Sequence, residues 1–449
     1  MQAYKKSTGW LLALPVLWGL GLVFFFGVNL IYKDDWRIVE MLKQFRDFGF
    51  DPRALFSLHN EHRIALPRIA LMLSGLWTDY NTWIQMFLNQ SAVLAMYGIY
   101  LAYIREIDSV RRSPGAARGN WALGVSLLAG LACYHAKQYE NFLWAFQIGF
   151  LLVALFAVLS FYFFAKALNG GTRANFVAAI LCGFAAVLSS LQGLFVFPIM
   201  AALQIWLWAV ERKSPGRRLG WVLACAALSW IAYFFHYQKP AGHSDYMAGS
   251  VASAVAFFFA SAGSIAAAKQ AAPAVVLGGI LWVVIAALVV HLARRRRSRE
   301  SLFPLGMILF SAAVSASLAV GRSGMAAGAA GAMTSRYATF SLMGFLGILL
   351  VFYREYPDPA GAPSGVPRVW RAGACFLGLL GLCLLGTNFL YVLPCRKWRA
   401  ERLEDVRTMQ NCRTAEWIDL KRLGPFGDRE DAWRFIEIAK EYEWNVFSK

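Results

Sequence analysis

WLLALPVLWGLGLVFFFGVNLIYKDDW, residues 10–36, decides how the chain is read. A long apolar run, Trp10–Tyr32, follows a basic start (Lys5, Lys6) and ends at two adjacent carboxylates, Asp34 and Asp35. About 20 apolar residues cross a bilayer core as a helix, so the run predicts a membrane span. It is long for the apolar region of a signal peptide and has no convincing A-x-A site before Lys33, which predicts an uncleaved anchor. Carboxylates at a span exit cost free energy if even partly desolvated. Such a pair points to a general base for an acceptor hydroxyl or to oxygen ligands for a divalent cation. A helix cap before Trp36 is the plainer reading.

The 449 residues are 58% hydrophobic and only 16% charged, which excludes an ordinary soluble domain. Spans are expected near 10–32, 82–104, 121–136, 142–165, 174–189, 193–210, 219–237, 274–293, 302–320, 337–353 and 372–394. Arg63–Trp77, broken by Pro67 and Arg68, and Val251–Ala268, which is Ala/Ser-rich, are expected to lie in or dip into the outer interface. Counting either as a span would put a basic loop outside. The expected fold class is an all-α polytopic membrane protein of about 11 transmembrane helices, with interfacial helices in the first outer loop and a small C-terminal periplasmic tail.

The net charge of +18 is concentrated at one set of span ends: Arg105/Arg111/Arg112/Arg118, Arg212/Lys213/Arg217/Arg218, Arg294–Arg297 with Arg299, and Arg354/Arg368/Arg371. That is the positive-inside distribution and not a nucleic-acid surface. It places the N-terminus in the cytoplasm and the C-terminus in the periplasm. Two parts are expected: 1–394, the transmembrane part, and 395–449, a small polar tail with 12 Lys/Arg against 11 Asp/Glu. The seven cysteines show no metal spacing, and Cys395 and Cys412, beyond the last span, could pair on an oxidising side.

With this topology the polar strings converge on the outer face. His59-Asn60-Glu61-His62-Arg63 packs imidazoles, a carboxylate and a guanidinium together. The His59-x-x-His62 spacing differs from the i, i+4 pair of helical zinc sites, so the string reads as donors for phosphate or sugar hydroxyls, or as a solvated turn. Lys137-Gln138-Tyr139-Glu140 runs into a span in which Glu140 and Gln147 lie two turns apart on one face. Gln192 lies in Ser189–Gly193. Arg322 and Arg336 flank a Gly/Ala-rich loop, and guanidinium matches phosphate geometry. Snorkelling to headgroups is the alternative for both.

A first span that ends on an acidic pair, followed by an interfacial loop, resembles the GT-C glycosyltransferases. The strings QYENFLWAFQ, SSLQGLFVFP and GRSG…TSRY look like an uncharacterised bacterial branch of that superfamily, over most of residues 1–394. The resemblance implies inverting transfer of a sugar from a polyprenyl-phosphate donor to a glycan or lipid acceptor at the periplasmic face of the bacterial inner membrane. It implies catalytic roles for Asp34 and Asp35. By role, it implies donor-phosphate binding by Arg322, Arg336, Arg63 and Lys137. Substrate contacts are expected from His59, Glu61, His62, Glu140 and Gln192. Membrane lipids are the remaining partners, and a divalent cation at Asp34/Asp35 is open. A lipid or glycan flippase and a glycan polymerase or ligase are the alternatives. Most carboxylates sit at span ends rather than within spans, which favours an interfacial enzyme.

Overall fold

The computed structural model describes residues 9–110, 116–212, 216–238, 246–267, 270–295, 298–357 and 366–448. Lys5, Lys6, Arg111, Arg112, Lys213, Lys239–Pro240, Arg296, Arg297 and most of Pro357–Pro367 lie outside the described residues.

The chain is helical almost throughout. Helix α1 (Leu14–Phe26), extended by a 3-10 turn from Gly9, is followed by α2 (Asp35–Phe48) and α3 (Pro52–Phe56). A two-stranded hairpin comes next, β1 (Leu58–His59) paired antiparallel with β2 (His62–Arg63). Then come α4 (Ala65–Trp77), α5 (Thr82–Val110), α6 (Ala116–Cys133), α7 (Tyr139–Leu143), α8 (Ile148–Leu168), α9 (Arg173–Val187), α10 (Val196–Glu211) and α11 (Gly216–Phe234). The second half holds α12 (Val251–Gly263), α13 (Ala271–Arg295), α14 (Leu302–Arg322), α15 (Ala338–Glu355) and α16 (Arg368–Leu390). The tail is α17 (Val392–Gln410), α18 (Trp417–Leu423) and α19 (Arg429–Glu441).

Among the described residues, 8 helices are long and apolar enough to cross a membrane. The expectation of about 11 exceeds that number at three places. The stretch 174–189 lies in α9, which has 15 residues and so spans only about 22 Å at 1.5 Å per residue. The stretches 121–136 and 219–237 lie in α6 and α11, whose first turns carry Arg118 and Arg217/Arg218. The first span also ends earlier than Tyr32, because the helix stops at Gly27 and residues 27–34 run irregularly to α2.

Bundle packing follows from small residues where helices touch. Helix α15 is buried along its length, with Gly344 against Ser311 and Gly347 against Ile308 of α14. Helices α12 and α13 meet backbone to backbone, since a Cβ on Gly278 would lie 1.8 Å from the Phe259 carbonyl oxygen. Only glycine permits that approach. Helix α4 turns Leu71, Met72 and Gly75 inward and leaves Ile69, Leu73 and Trp77, one turn apart each, exposed. This one-sided pattern suits a helix lying in an interface.

A second hydrophobic core lies over the end of the bundle that carries Asp34 and Asp35. Trp36, Ile38, Val39 and Leu42 of α2 and Leu71 of α4 pack there with Leu420, Leu423, Phe426, Phe435, Ile436 and Trp444 of the tail. The stretch 395–449 therefore shares its core with the first loop, and position 395 falls inside α17. Cys395 and Cys412 are free thiols at opposite ends of α17. Most of α17 lies between them, since Cys412 is two residues past its end, and the helical stretch from Cys395 to Gln410 alone spans about 22 Å, beyond the reach of a disulfide.

Candidate active site

The acidic pair owes its geometry to the sharp entry into α2. Asp34 occupies the N-cap position, but its side chain makes no capping bond. Its Oδ1 lies 3.6 Å from His59 Nε2, and about a third of the side chain is exposed. The plain capping reading therefore does not account for it. Asp35 is fully buried. Its Oδ2 accepts from the Tyr32 amide and from the Trp144 indole, each at 3.2 Å. Oδ1 has no hydrogen-bond partner among the described residues. Burial pushes the Asp35 carboxyl well above its ordinary 3.8, against the bond from Tyr32, and the neighbouring charge of Asp34 adds to the rise. The two adjacent carboxyls thus differ: one is accessible, while the other is driven towards its neutral form.

The hairpin and three distant loops close around Asp34. The β1–β2 turn places Asn60 in the left-handed region (φ 51°), which asparagine tolerates, and pairs His59 with His62. The His59 ring packs against Phe146, centroids 4.8 Å apart. Glu61 forms an ion pair with Arg322 and lies 3.6 Å from His62 Nε2. His62 Nδ1 is 3.4 Å from both the Ser190 hydroxyl and the Leu191 amide. Ser190 donates to Gln192 Oε1. Arg322 also lies over Tyr246, 5.7 Å from the ring centre.

The α7 loop holds the other arginine. The Arg336 amide donates to Glu140 Oε2 at 3.2 Å, and the Glu140 amide donates to Ser335 Oγ at 3.0 Å. Asn141 Nδ2 donates to the Arg336 carbonyl at 3.1 Å and to Thr339 Oγ1 at 2.9 Å. Burial raises the Glu140 pKa, with the Arg336 charge opposing it. The Arg336 guanidinium interacts with the Tyr337 hydroxyl and lies within electrostatic reach of both Glu140 and Asp34. Asp34, His59, Glu61, Arg322 and Arg336 thus gather at one end of the bundle.

Two further expected phosphate ligands are engaged elsewhere. Arg63 donates to the carbonyls of Tyr233 (2.8 Å), Phe56 (2.6 Å) and Phe235 (2.6 Å), tying the hairpin to the end of α11. Lys137 is 1% exposed and donates to the Ser264 carbonyl. Burial lowers its pKa to about 7. The Gly/Ala-rich loop between the two arginines is itself partly packed. Gly324 packs on the Met247 carbonyl, and Gly328–Met333 forms a 3-10 helix with Ala332 and Met333 buried.

One oxygen of Asp35 is held by two N–H donors, and among the described residues no group of three or more His, Cys, Asp or Glu side chains converges. Sequence reasoning missed Trp144 as a polar donor, because indole inside an apolar string reads as packing. It also missed Arg402, which lies 3.9 Å over the Tyr32 ring and pairs at 2.7 Å with fully buried Asp405. Their i, i+3 spacing is visible in the sequence only as an ordinary helical ion pair.

No family model matches the chain, and no curated protein sequence does. Among solved structures, the crystal structure of ArnT from Cupriavidus metallidurans in the apo state is similar. The alignment has a TM-score of 0.50 and 14% identity, covering 98% of this chain and 76% of that one. Its extent, together with the apolar helices, establishes the architecture: this chain is a multi-pass helical membrane protein with an ArnT-like fold.

Proposed function

We propose that the protein transfers a sugar from a polyprenyl-phosphate donor to a hydroxyl of a glycan or lipid acceptor, with inversion, at the periplasmic face of a bacterial inner membrane. The observation that carries this reading is Asp34: an accessible carboxylate with no capping bond, facing His59 and within electrostatic reach of Arg336. The ArnT-like fold supports it.

In this reading Asp34 is the general base. It takes the proton of the acceptor hydroxyl as that oxygen bonds to the anomeric carbon. The bond from the anomeric carbon to the phosphate oxygen breaks on the opposite face, and its electrons remain on the phosphate. Arg336 stabilises the developing charge in a site of low dielectric. Arg322 joins it by exchanging Glu61 for phosphate. Asp35 stays protonated and fixes the turn that presents Asp34. His59, His62, Glu140 and Gln192 shape the sugar site. Arg63 and Lys137 hold the loops together rather than touching phosphate.

Mass spectrometry of envelope glycans and glycolipids tests the proposal. Cells lacking the protein should lose one sugar modification, restored by the wild type and not by Asp34→Asn. Restoration by Asp34→Asn to the wild-type level would overturn it.

A further inference from the structure

We infer that Asn445 is a positioning residue: the tail clamps the irregular segment 28–36 and thereby sets the geometry of Asp34 and Asp35. The catalytic half of this inference rests on the proposed function, whereas the structural half does not.

The segment between α1 and α2 cannot hold itself. It contains no helical hydrogen-bond ladder, and Lys33, directly before the acidic pair, sits at φ 51°. A left-handed lysine is strained and persists only where its surroundings over-determine it. The amides of residues 30–33 find their partners one by one. Leu30 donates to Thr82 Oγ1 at 3.0 Å, and Tyr32 donates to Asp35 Oδ2. The other two reach the tail: Ile31 donates to Asn445 Oδ1 at 3.1 Å, and Lys33 donates to the Leu423 carbonyl at 2.6 Å. The same Leu423 carbonyl accepts from Trp36 Nε1 at 3.1 Å. The left-handed residue is therefore held from the tail at its own amide, with further tail bonds at Ile31 and Trp36.

Asn445 is the knot of this clamp. It is 1% exposed. Its amide donates to the Asp79 carbonyl at 2.7 Å, and its Nδ2 donates to Asn29 Oδ1 at 2.7 Å and to the Tyr80 carbonyl at 3.0 Å. Tyr80 in turn donates through its hydroxyl to the Asp35 carbonyl at 3.2 Å. One asparagine thus ties both ends of the first loop, 28–36 and 79–82, to the tail. It uses every polar group that a side-chain amide offers. Its own φ of 59° suits Asn, Asp or Gly and few others. A buried network satisfied this completely fixes one arrangement, and loss of one member leaves several groups unpaired.

The test uses the full chain in lipid nanodiscs. Asn445→Gly keeps the left-handed backbone and removes the side chain. Asn445→Asp keeps the acceptor for Ile31 and removes the donors to Asn29 and Tyr80. Hydrogen exchange of segment 28–36 should accelerate about tenfold or more in Asn445→Gly and in Asn445→Asp, whose buried carboxylate faces the acceptor oxygens of Asn29 and Tyr80, with α8 and α14 unchanged. Trp36→Phe, which removes one bond at the other end of the clamp, should act in the same direction and serves if Asn445→Gly does not fold.

Unchanged exchange in 28–36 overturns the clamp. With a polyprenyl-phosphoryl hexose as probe, Asn445→Gly should lower kcat by about 10–100-fold, with KM altered about twofold or less. The infrared carboxyl band assigned by Asp35→Asn should titrate at lower pH as water reaches Asp35. Accelerated exchange with kcat and that band unchanged overturns the positioning role. Asp34→Asn is measured in parallel. If it retains wild-type turnover, the glycosyltransferase reading fails and the clamp is judged on exchange alone.

Discussion

At the scale of the residue, burial separates Asp34 from Asp35. Asp35 is driven towards its neutral form, so the folded protein holds a proton there that the unfolded chain releases. Folding stability therefore falls as pH rises above the ordinary value of 3.8 towards the raised native value. Asparagine mimics the protonated acid, with its oxygen receiving the Tyr32 and Trp144 donors. Asp35→Asn should have a melting temperature that gains on the wild type as pH rises above 3.8 and levels off beyond the raised native value, measured by intrinsic fluorescence in nanodiscs. A pH-independent difference would mean that Asp35 is ionised in the native state. Arg336 carries the second residue-scale prediction. Arg336→Ala should lose about 1.5–3 kcal/mol of donor binding or transition-state stabilisation. Lysine should restore only part, because ammonium cannot hold two phosphate oxygens at once. Donor affinity and turnover of both variants check this, and equal behaviour of Ala and wild type would leave Arg336 a packing residue.

At the scale of the element, the hairpin matters more than its histidines announce. Arg63 joins β2 to α3 and to the end of α11 through three carbonyls. Arg63→Ala should cost about 1–3 kcal/mol of stability by leaving carbonyls unpaired. It should also loosen the register that places His59 beside Asp34. Thermal unfolding measures the first effect. A variant that binds donor poorly yet melts like the wild type would return Arg63 to phosphate recognition. These elements show why the sequence was readable in one respect and opaque in another. Span positions follow from long apolar runs, and the acidic pair is conspicuous because charge beside a span is rare. The hairpin, the carbonyl partners of Arg63 and Lys137, and the bond from Trp144 to Asp35 depend on contacts across the chain. No local pattern encodes them. The apolar run outlasts α1 for a related reason: Val28, Leu30 and Ile31 are apolar because they pack under the tail, not because they face lipid.

At the scale of the whole molecule, the described basic residues Arg218, Arg299 and Arg354 lie at one end of the bundle, contacting Ala167, Glu211 and Glu300, and α14 runs from there to Arg322 beside the acidic pair at the other. Orientation is tested by accessibility. In a variant freed of native cysteines, Arg53→Cys should react with a membrane-impermeant maleimide in spheroplasts, and Arg217→Cys only after the membrane is broken. Both side chains are exposed, so access and not burial decides the result. The reverse pattern would invert the topology and place the site in the cytoplasm. The tail was expected as an appendage with balanced charge. The sequence also leaves Trp417, Trp433, Phe435 and Trp444 free to pack the tail onto the membrane surface or the catalytic face, and Trp444, Phe435 and Phe426 complete the core over the acidic pair.

The most direct test of the account is release of polyprenyl phosphate from a polyprenyl-phosphoryl hexose by purified protein in nanodiscs, in the presence of membrane glycolipids as acceptors. The wild type should release it only when acceptor is present, and Asp34→Asn should release it about 10²–10⁴-fold more slowly without loss of donor binding. Acceptor-dependent release by Asp34→Asn at the wild-type rate would contradict it.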